Sequence, residues 1–138
     1  MPLDLETLSG TFKLCNKSDN LVQLLQKLGE PPQLIENLER VEMQLEIKVT
    51  GNNFTAKTTM MGMASVNTYT LGAECEEKGL QNRKVTCTIQ GDALVSDYPN
   101  HDGKGLVVRR SRRFLDDNTV RTEYKVGDLE GWYDFKKI

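Results

Sequence analysis

The chain has 138 residues and a formal net charge of −2, enough for one domain with a real core and too little for two ordinary ones. Hydrophobic residues make up 38% and charged residues 28%, which excludes a disordered polyelectrolyte, and no run approaches the roughly 20 apolar residues of a membrane-spanning helix. Residues 1–69 carry 6 basic and 8 acidic side chains and the remainder 12 and 12, without the basic surplus of a nucleic-acid-binding domain.

The opening "MPLDLETLSG" lacks the basic start and apolar run of a secretory signal, so a cytosolic protein is expected. Cys15, Cys75 and Cys87 show no CxxC spacing and are odd in number. They suggest neither a disulfide framework nor a zinc site, and are expected to be reduced and partly buried.

In chain order, "SGTFKLCN" alternates Phe12 and Leu14 with Thr11 and Lys13, the pattern of a short strand. In "SDNLVQLLQKLG", Leu21, Leu24, Leu25 and Leu28 fall on one helical face, with Ser18 or Asp19 as the cap and Gly29 as the stop. "EPPQLIENLER" predicts a second short helix, its prolines in the first turn and Leu34, Ile35 and Leu38 on one side. From about residue 40 the period changes to two and stays there. "LEIKVTGNNFTAKTTM" reads as a hairpin, and "ASVNTYTL", "RKVTCTI", "DALVSD", "KGLVVRRSRRF", "TVRTEYKV" and "GWYDFKKI" as further strands. The segments between them, "GAECEEKGLQN" and "YPNHDG" among them, read as turns. The total is nine or ten strands and one helical hairpin.

A meander of that length should close, because open edges invite aggregation and a strongly twisted sheet does not stay flat. The predicted fold is therefore an all-β barrel. Its interior is not a dry core, since Thr122 and Tyr124 share a face with Val120 and Val126. Residues 106–114 sharpen the point. Leu106, Val108, Arg110, Arg112 and Phe114 share one face, and Val107, Arg109, Ser111 and Arg113 the other. Whichever face turns inward takes arginine with it.

In their order and spacing, "SGTFKL", "NLVQLLQKLG" with "PPQLIENL", "LEIKVTGNNF", "YTLGAECEE", "QGDALV" and "GDLEGWYDFKKI" resemble the intracellular lipid-binding proteins, which include fatty-acid-binding and cellular retinoid-binding proteins. "EPPQLIENL", "LGAECE" and the "GDL…KKI" ending look closest to the liver-type fatty-acid and bile-acid-binding branch. The resemblance covers essentially the whole chain, 1–138. It implies a ten-stranded antiparallel up-and-down barrel, a helix-turn-helix lid at about 18–39, and a water-filled cavity. Such a protein carries hydrophobic ligands through the cytosol and does no chemistry on them.

The resemblance also implies site residues. An inward arginine that binds the ligand carboxylate falls on Arg112, counted from the "GKG" turn, with Arg110 as the alternative and Arg109 and Arg113 toward solvent. Members that grip a carboxylate tightly end with an arginine, any residue and a tyrosine on the closing strand. This chain has Tyr133, Asp134 and Phe135 there, so a deep two-cation clamp is not expected. Met60, Met61 and Met63 would stand at the ligand entrance, where flexible thioethers conform to varied apolar shapes, or serve as ordinary hairpin methionines. The expected partner is a fatty acid, then a bile-acid-like amphipath, then a retinoid. The protein is expected to be a monomer without cofactor or metal, with membrane contact through the lid as an option.

Two other classes carry less weight. Arg109, Arg110, Arg112 and Arg113 with Trp132 and Tyr133 could form a basic aromatic surface for nucleic acid, but the charge balance opposes it. Catalysis would have to rest on the single histidine, His101, paired with Cys87, or on Asp116 and Asp117. A loop histidine is more simply surface, and the two acids more simply start a turn.

Overall fold

The computed structural model describes residues 3–30, 32–36, 42–60, 62–78 and 82–138. Within them the two-residue period becomes ten strands: β1 Gly10–Lys17, β2 Met43–Thr50, β3 Asn53–Met60, β4 Met63–Thr70, β5 Glu74–Glu77, β6 Arg83–Gln90, β7 Ala93–Tyr98, β8 Val108–Asp116, β9 Thr119–Val126 and β10 Leu129–Lys137. Helices α1 (Leu21–Leu28) and α2 (Pro32–Glu36) lie between β1 and β2. The sheet order is β4-β3-β2-β1-β10-β9-β8-β7-β6-β5, an up-and-down meander that the pairing of β1 with β10 curls into a barrel.

The tenth strand, β5, lies inside the segment read from the sequence as a turn. Its four residues "ECEE" carry no hydrophobic alternation. They are strand because they pair with β6, Cys75 opposite Val85 and Glu77 opposite Arg83.

The ladder is open only between β4 and β5, and side chains span that seam. The Asn67 amide donates to the Lys78 carbonyl at 3.2 Å, and the Lys78 N–H donates to Asn67 Oδ1 at 2.7 Å, which reproduces the two bonds of a backbone pair. The Tyr69 hydroxyl crosses the same seam to donate to Glu77. An edge satisfied in this way offers little to a foreign strand.

Two-residue loops at Gly51-Asn52, Gly91-Asp92 and Gly127-Asp128 join paired strands. Each glycine holds φ near +60°, the conformation that tight hairpin turns require and that a Cβ disfavours. The hairpin expected at "GNN" is therefore present, pairing Thr50 with Asn53.

The lid follows from its leucines. Leu21, Leu24, Leu25 and Leu28 are all buried, and α1 ends on Gly29 in the left-handed conformation. The expected cap differs: the boundary residue is Asn20, whose side chain makes no capping bond and instead donates to the Glu130 carbonyl on β10. Ser18 is occupied in the same direction, accepting from the Trp132 N–H at 3.0 Å. These polar ties seat the helix on β10 at Gly131, where a Cβ would stand 2.8 Å from a Leu24 methyl. The α2 expectations hold for Pro32 in the first turn and buried Leu34, while Leu38 and lid residues 37–39 lie outside the described residues. No helix among the described residues is long and apolar enough to cross a membrane.

Candidate functional site in the barrel interior

Strand β8 decides the character of the interior. Its burial alternates, with Val108, Arg110 and Arg112 buried and Arg109 exposed. Arg110 is 7% exposed and Arg112 6%, so both arginines considered from the sequence point inward. Arg109 and Arg113 lie on the outer wall, paired with Asp97 and Glu123 at 2.8 Å each.

The two inward guanidiniums differ in their surroundings. Arg110 has a partner: Glu77 Oε2 lies 3.6 Å from its Nη1, and its guanidinium stands 5.6 Å from the centre of the Tyr98 ring. The same Glu77 oxygen accepts from the hydroxyls of Tyr69 and Tyr98, each at 2.6 Å. Burial pushes the Glu77 carboxyl up, but Arg110, the two phenols and Arg83 outweigh it and hold the group below its ordinary range. Burial likewise opposes the charge on Arg110, and Tyr98 and Glu77 more than offset it. Tyr69 shows the cost of that setting, its phenol pushed up to about 12 chiefly by burial.

Arg112 has no such cage. Its Nε and Nη1 are buried without a hydrogen-bond partner. Burial and then the neighbouring Arg110 push its guanidinium down from the arginine range. Directly across the ladder stands Thr122, whose hydroxyl is also buried and unpartnered. A cation and a hydroxyl facing one interior with unused hydrogen-bonding capacity can jointly hold an anionic oxygen.

The other sequence candidates are placed as follows. Tyr133 and Phe135 are buried on the inner face of β10, their rings 6.0 Å apart. Tyr124 meets Tyr133 edge-on at 6.3 Å, which completes an aromatic wall beside Thr122. Asp134 faces outward, where both of its oxygens accept from Arg121 and the Arg121 guanidinium lies 3.9 Å over the Trp132 ring. Met60 packs partly buried against the core, whereas Met63 is 75% exposed and does not join the interior. Met61 lies outside the described residues.

Glu77, Tyr69, Tyr98 and Ser96 are interior groups that sequence reasoning missed. Glu77 was concealed by its turn-like segment, although β6 carries a usable signal: Val85 and Cys87 alternate inward, and antiparallel pairing then turns Cys75 and Glu77 the same way. His101 is a correction. The expected surface histidine is 4% exposed, its Nε2 against Arg83 Nη1 and its ring edge-on to Tyr98 at 5.2 Å. Cys87 is 3.1 Å from the Ser96 hydroxyl, so it and His101 are each engaged elsewhere, and burial pushes the thiol up, away from nucleophilic character. Cys15 is exposed and Cys75 half-buried, and all three cysteines are free. Asp116 accepts from the Asn118 N–H at 2.8 Å and so shapes its turn, as expected.

Known proteins share this architecture. A Schistosoma mansoni fatty acid binding protein in complex with arachidonic acid superposes with a TM-score of 0.84 over 97% of this chain and 98% of its own, at 20% identity. The fluorescent protein UnaG gives 0.83 at 20% identity, covering 98% of this chain and all of its own. In sequence, rat (Rattus norvegicus) gastrotropin is 29% identical over 64% of this chain and 72% of its own length, and pig (Sus scrofa) liver fatty acid-binding protein 27% identical over 94% of each. The profile described as the lipocalin / cytosolic fatty-acid binding protein family matches residues 7–121. This is a family of binding proteins and not of enzymes, and the chain belongs to it.

Proposed function

We propose that the protein is a cytoplasmic, monomeric carrier of amphipathic lipids, long-chain fatty acids foremost, and that it binds them inside the barrel with Arg112 orienting the head group. One observation carries the reading: a buried guanidinium whose Nε and Nη1 have no partner. An ion held out of water without a counter-ion costs several kcal/mol, so such a group is expected where a ligand supplies the missing acceptor. The relatives' names support the ligand class, since several are fatty acid-binding proteins and one is a complex with arachidonic acid.

The tail supplies most of the affinity. Burying a methylene contributes about 0.8 kcal/mol, so a chain of roughly 15 carbons offers on the order of 12 kcal/mol before ordering costs. A hydrogen bond to the charged head adds about 1.5–3 kcal/mol. Thr122 and the Tyr124, Tyr133 and Phe135 wall complete the subsite, and Met60 and Met63 flank the route into it.

The unpartnered Thr122 hydroxyl favours a second reading, a hydroxylated bile-acid-like ligand that uses Arg112 for its acid and Thr122 for a ring hydroxyl. Native mass spectrometry of the protein as purified, followed by titration of hexadecanoate and of a bile acid into wild type and Arg112→Ala, tests both. Arg112→Ala should bind the preferred ligand at least about tenfold more weakly, which is the loss of one charged hydrogen bond. Equal binding by the two proteins would remove Arg112 from the site.

A further inference from the structure

Given the head-group reading above, we propose that Glu77 is the selectivity residue of the barrel, an internal counter-ion that neutralises Arg110 and so limits the interior to one monoanionic head group. The argument is a count of charges in one place. Arg110 and Arg112 stand two residues apart on the inner face of β8 and act on one another. Glu77 reaches Arg110 at 3.6 Å and is fixed by two phenol hydroxyls on its Oε2. Arg83, beside His101, and half-buried Glu30, just beyond α1, are coupled to the same cluster and oppose each other in sign. Of the described side chains on the inner wall, two cations, Arg110 and Arg112, therefore face one carboxylate, Glu77, and one positive charge is left for a ligand.

Placement supports assigning that charge to Arg112. Glu77 lies on β5 at the far side of the β4–β5 seam, where Tyr69 and Tyr98 approach it from β4 and β7. Arg110 keeps only its Nε without a hydrogen-bond partner, its Nη atoms meeting Glu77 and Ser96, whereas Arg112 keeps both Nε and Nη1 unpartnered beside the unpartnered hydroxyl of Thr122 across the ladder. A dianionic head would bring a second charge with no free cation to meet it, and would stand close to the fixed carboxylate of Glu77. Like charges in a weakly screened interior repel strongly. The interior should therefore discriminate by charge among ligands with the same tail.

The test compares hexadecanoate with hexadecyl phosphate by calorimetric titration at about pH 8, where a phosphate monoester is fully dianionic. Wild type should prefer hexadecanoate by at least about tenfold. Glu77→Gln releases Arg110 and should shrink or invert that preference by a further factor of at least about ten. Adding Arg110→Gln to it removes both charges and should restore the wild-type preference, which a merely structural role for Glu77 would not do. Should Glu77→Gln fail to fold, Arg110→Gln carries the test from the other side. It leaves no net charge, so hexadecanoate binding should fall at least about tenfold and return when Glu77→Gln is added. Wild type that binds the two ligands equally, or a preference unchanged in Glu77→Gln, overturns the role of Glu77 and leaves the head-group reading standing. Wild type that binds neither overturns both.

Discussion

The two faces of β8, β9 and β10 are built from the same residue types and solve opposite problems. On the outer wall every arginine has a carboxylate at 2.8 Å, Arg109 on Asp97, Arg113 on Glu123 and Arg121 on Asp134. On the inner wall Arg110 is paired at the looser distance of 3.6 Å, and Arg112 and Thr122 keep unused donors and acceptors. Asp134 is buried beneath Arg121 and has both oxygens matched. Water could solvate Arg109 with Asp97 and Arg113 with Glu123 without help, so those pairings are inexpensive and of small consequence. The inner charges have no such reserve, which makes a missing partner there a statement about what is meant to arrive.

The largest effect should come from breaking the inner pair. Glu77→Ala strands Arg110 and deprives Tyr69 and Tyr98 of their common acceptor, so the protein should lose about 3–5 kcal/mol of stability in urea unfolding. A loss below about 1 kcal/mol would mean that Arg110 is solvated inside the barrel. The next substitution reverses the sign. Arg112→Met keeps the bulk and removes an unpartnered charge, so the delipidated protein should gain about 1–2 kcal/mol, or about 3–7 °C in thermal melting, while its fatty-acid affinity falls. A variant that lost stability and kept its affinity would make Arg112 a structural arginine.

That asymmetry also marks how far the sequence could be read. The face of β8 was legible because strand parity is local: once Val108 is inside, Arg110 and Arg112 must be too. The helix pair and most hairpins were legible for the same reason, through a leucine stripe and glycine turns. The strand β5 was not, since "ECEE" becomes strand only through a partner some ten residues away. The fate of Arg110 was hidden with it, because its counter-ion lies 33 positions earlier, across a seam that only the closed barrel brings together. His101 failed in the same manner: its loop is polar, but Tyr98 and Arg83 cover the ring.

His101 gives the comparison a pH dependence. Burial first, and then the Arg83 charge, pull the imidazole down from 6.5 to about 4, with Glu77 opposing, Arg110 reinforcing and Asp102 opposing. The unfolded chain therefore binds a proton between roughly pH 6.5 and 4 that the folded chain refuses. Stability contributed by the neutral ring is present above that window and is lost as pH falls through it. His101→Phe keeps the edge-on contact with Tyr98 and removes the titration, so the wild-type minus variant stability difference should decline steadily as the solution is acidified through this range. A difference that stays flat would show that the ring is solvated and titrates normally.

The smallest effect is expected on the outer wall, and it completes the contrast. Arg113 and Glu123 make a 2.8 Å pair with both side chains more than a third exposed, so a double-mutant cycle to alanine should return a coupling of about 0.2–1 kcal/mol. Raising the salt to about 1 M shortens the screening length to roughly 3 Å and should reduce that coupling further. The same salt should leave the cost of Glu77→Ala almost unchanged, because solvent ions do not reach the buried pair. If salt weakened both couplings equally, the interior around Arg110 would be open to bulk electrolyte, and the unmet hydrogen bonds of Arg112 would no longer point to a ligand.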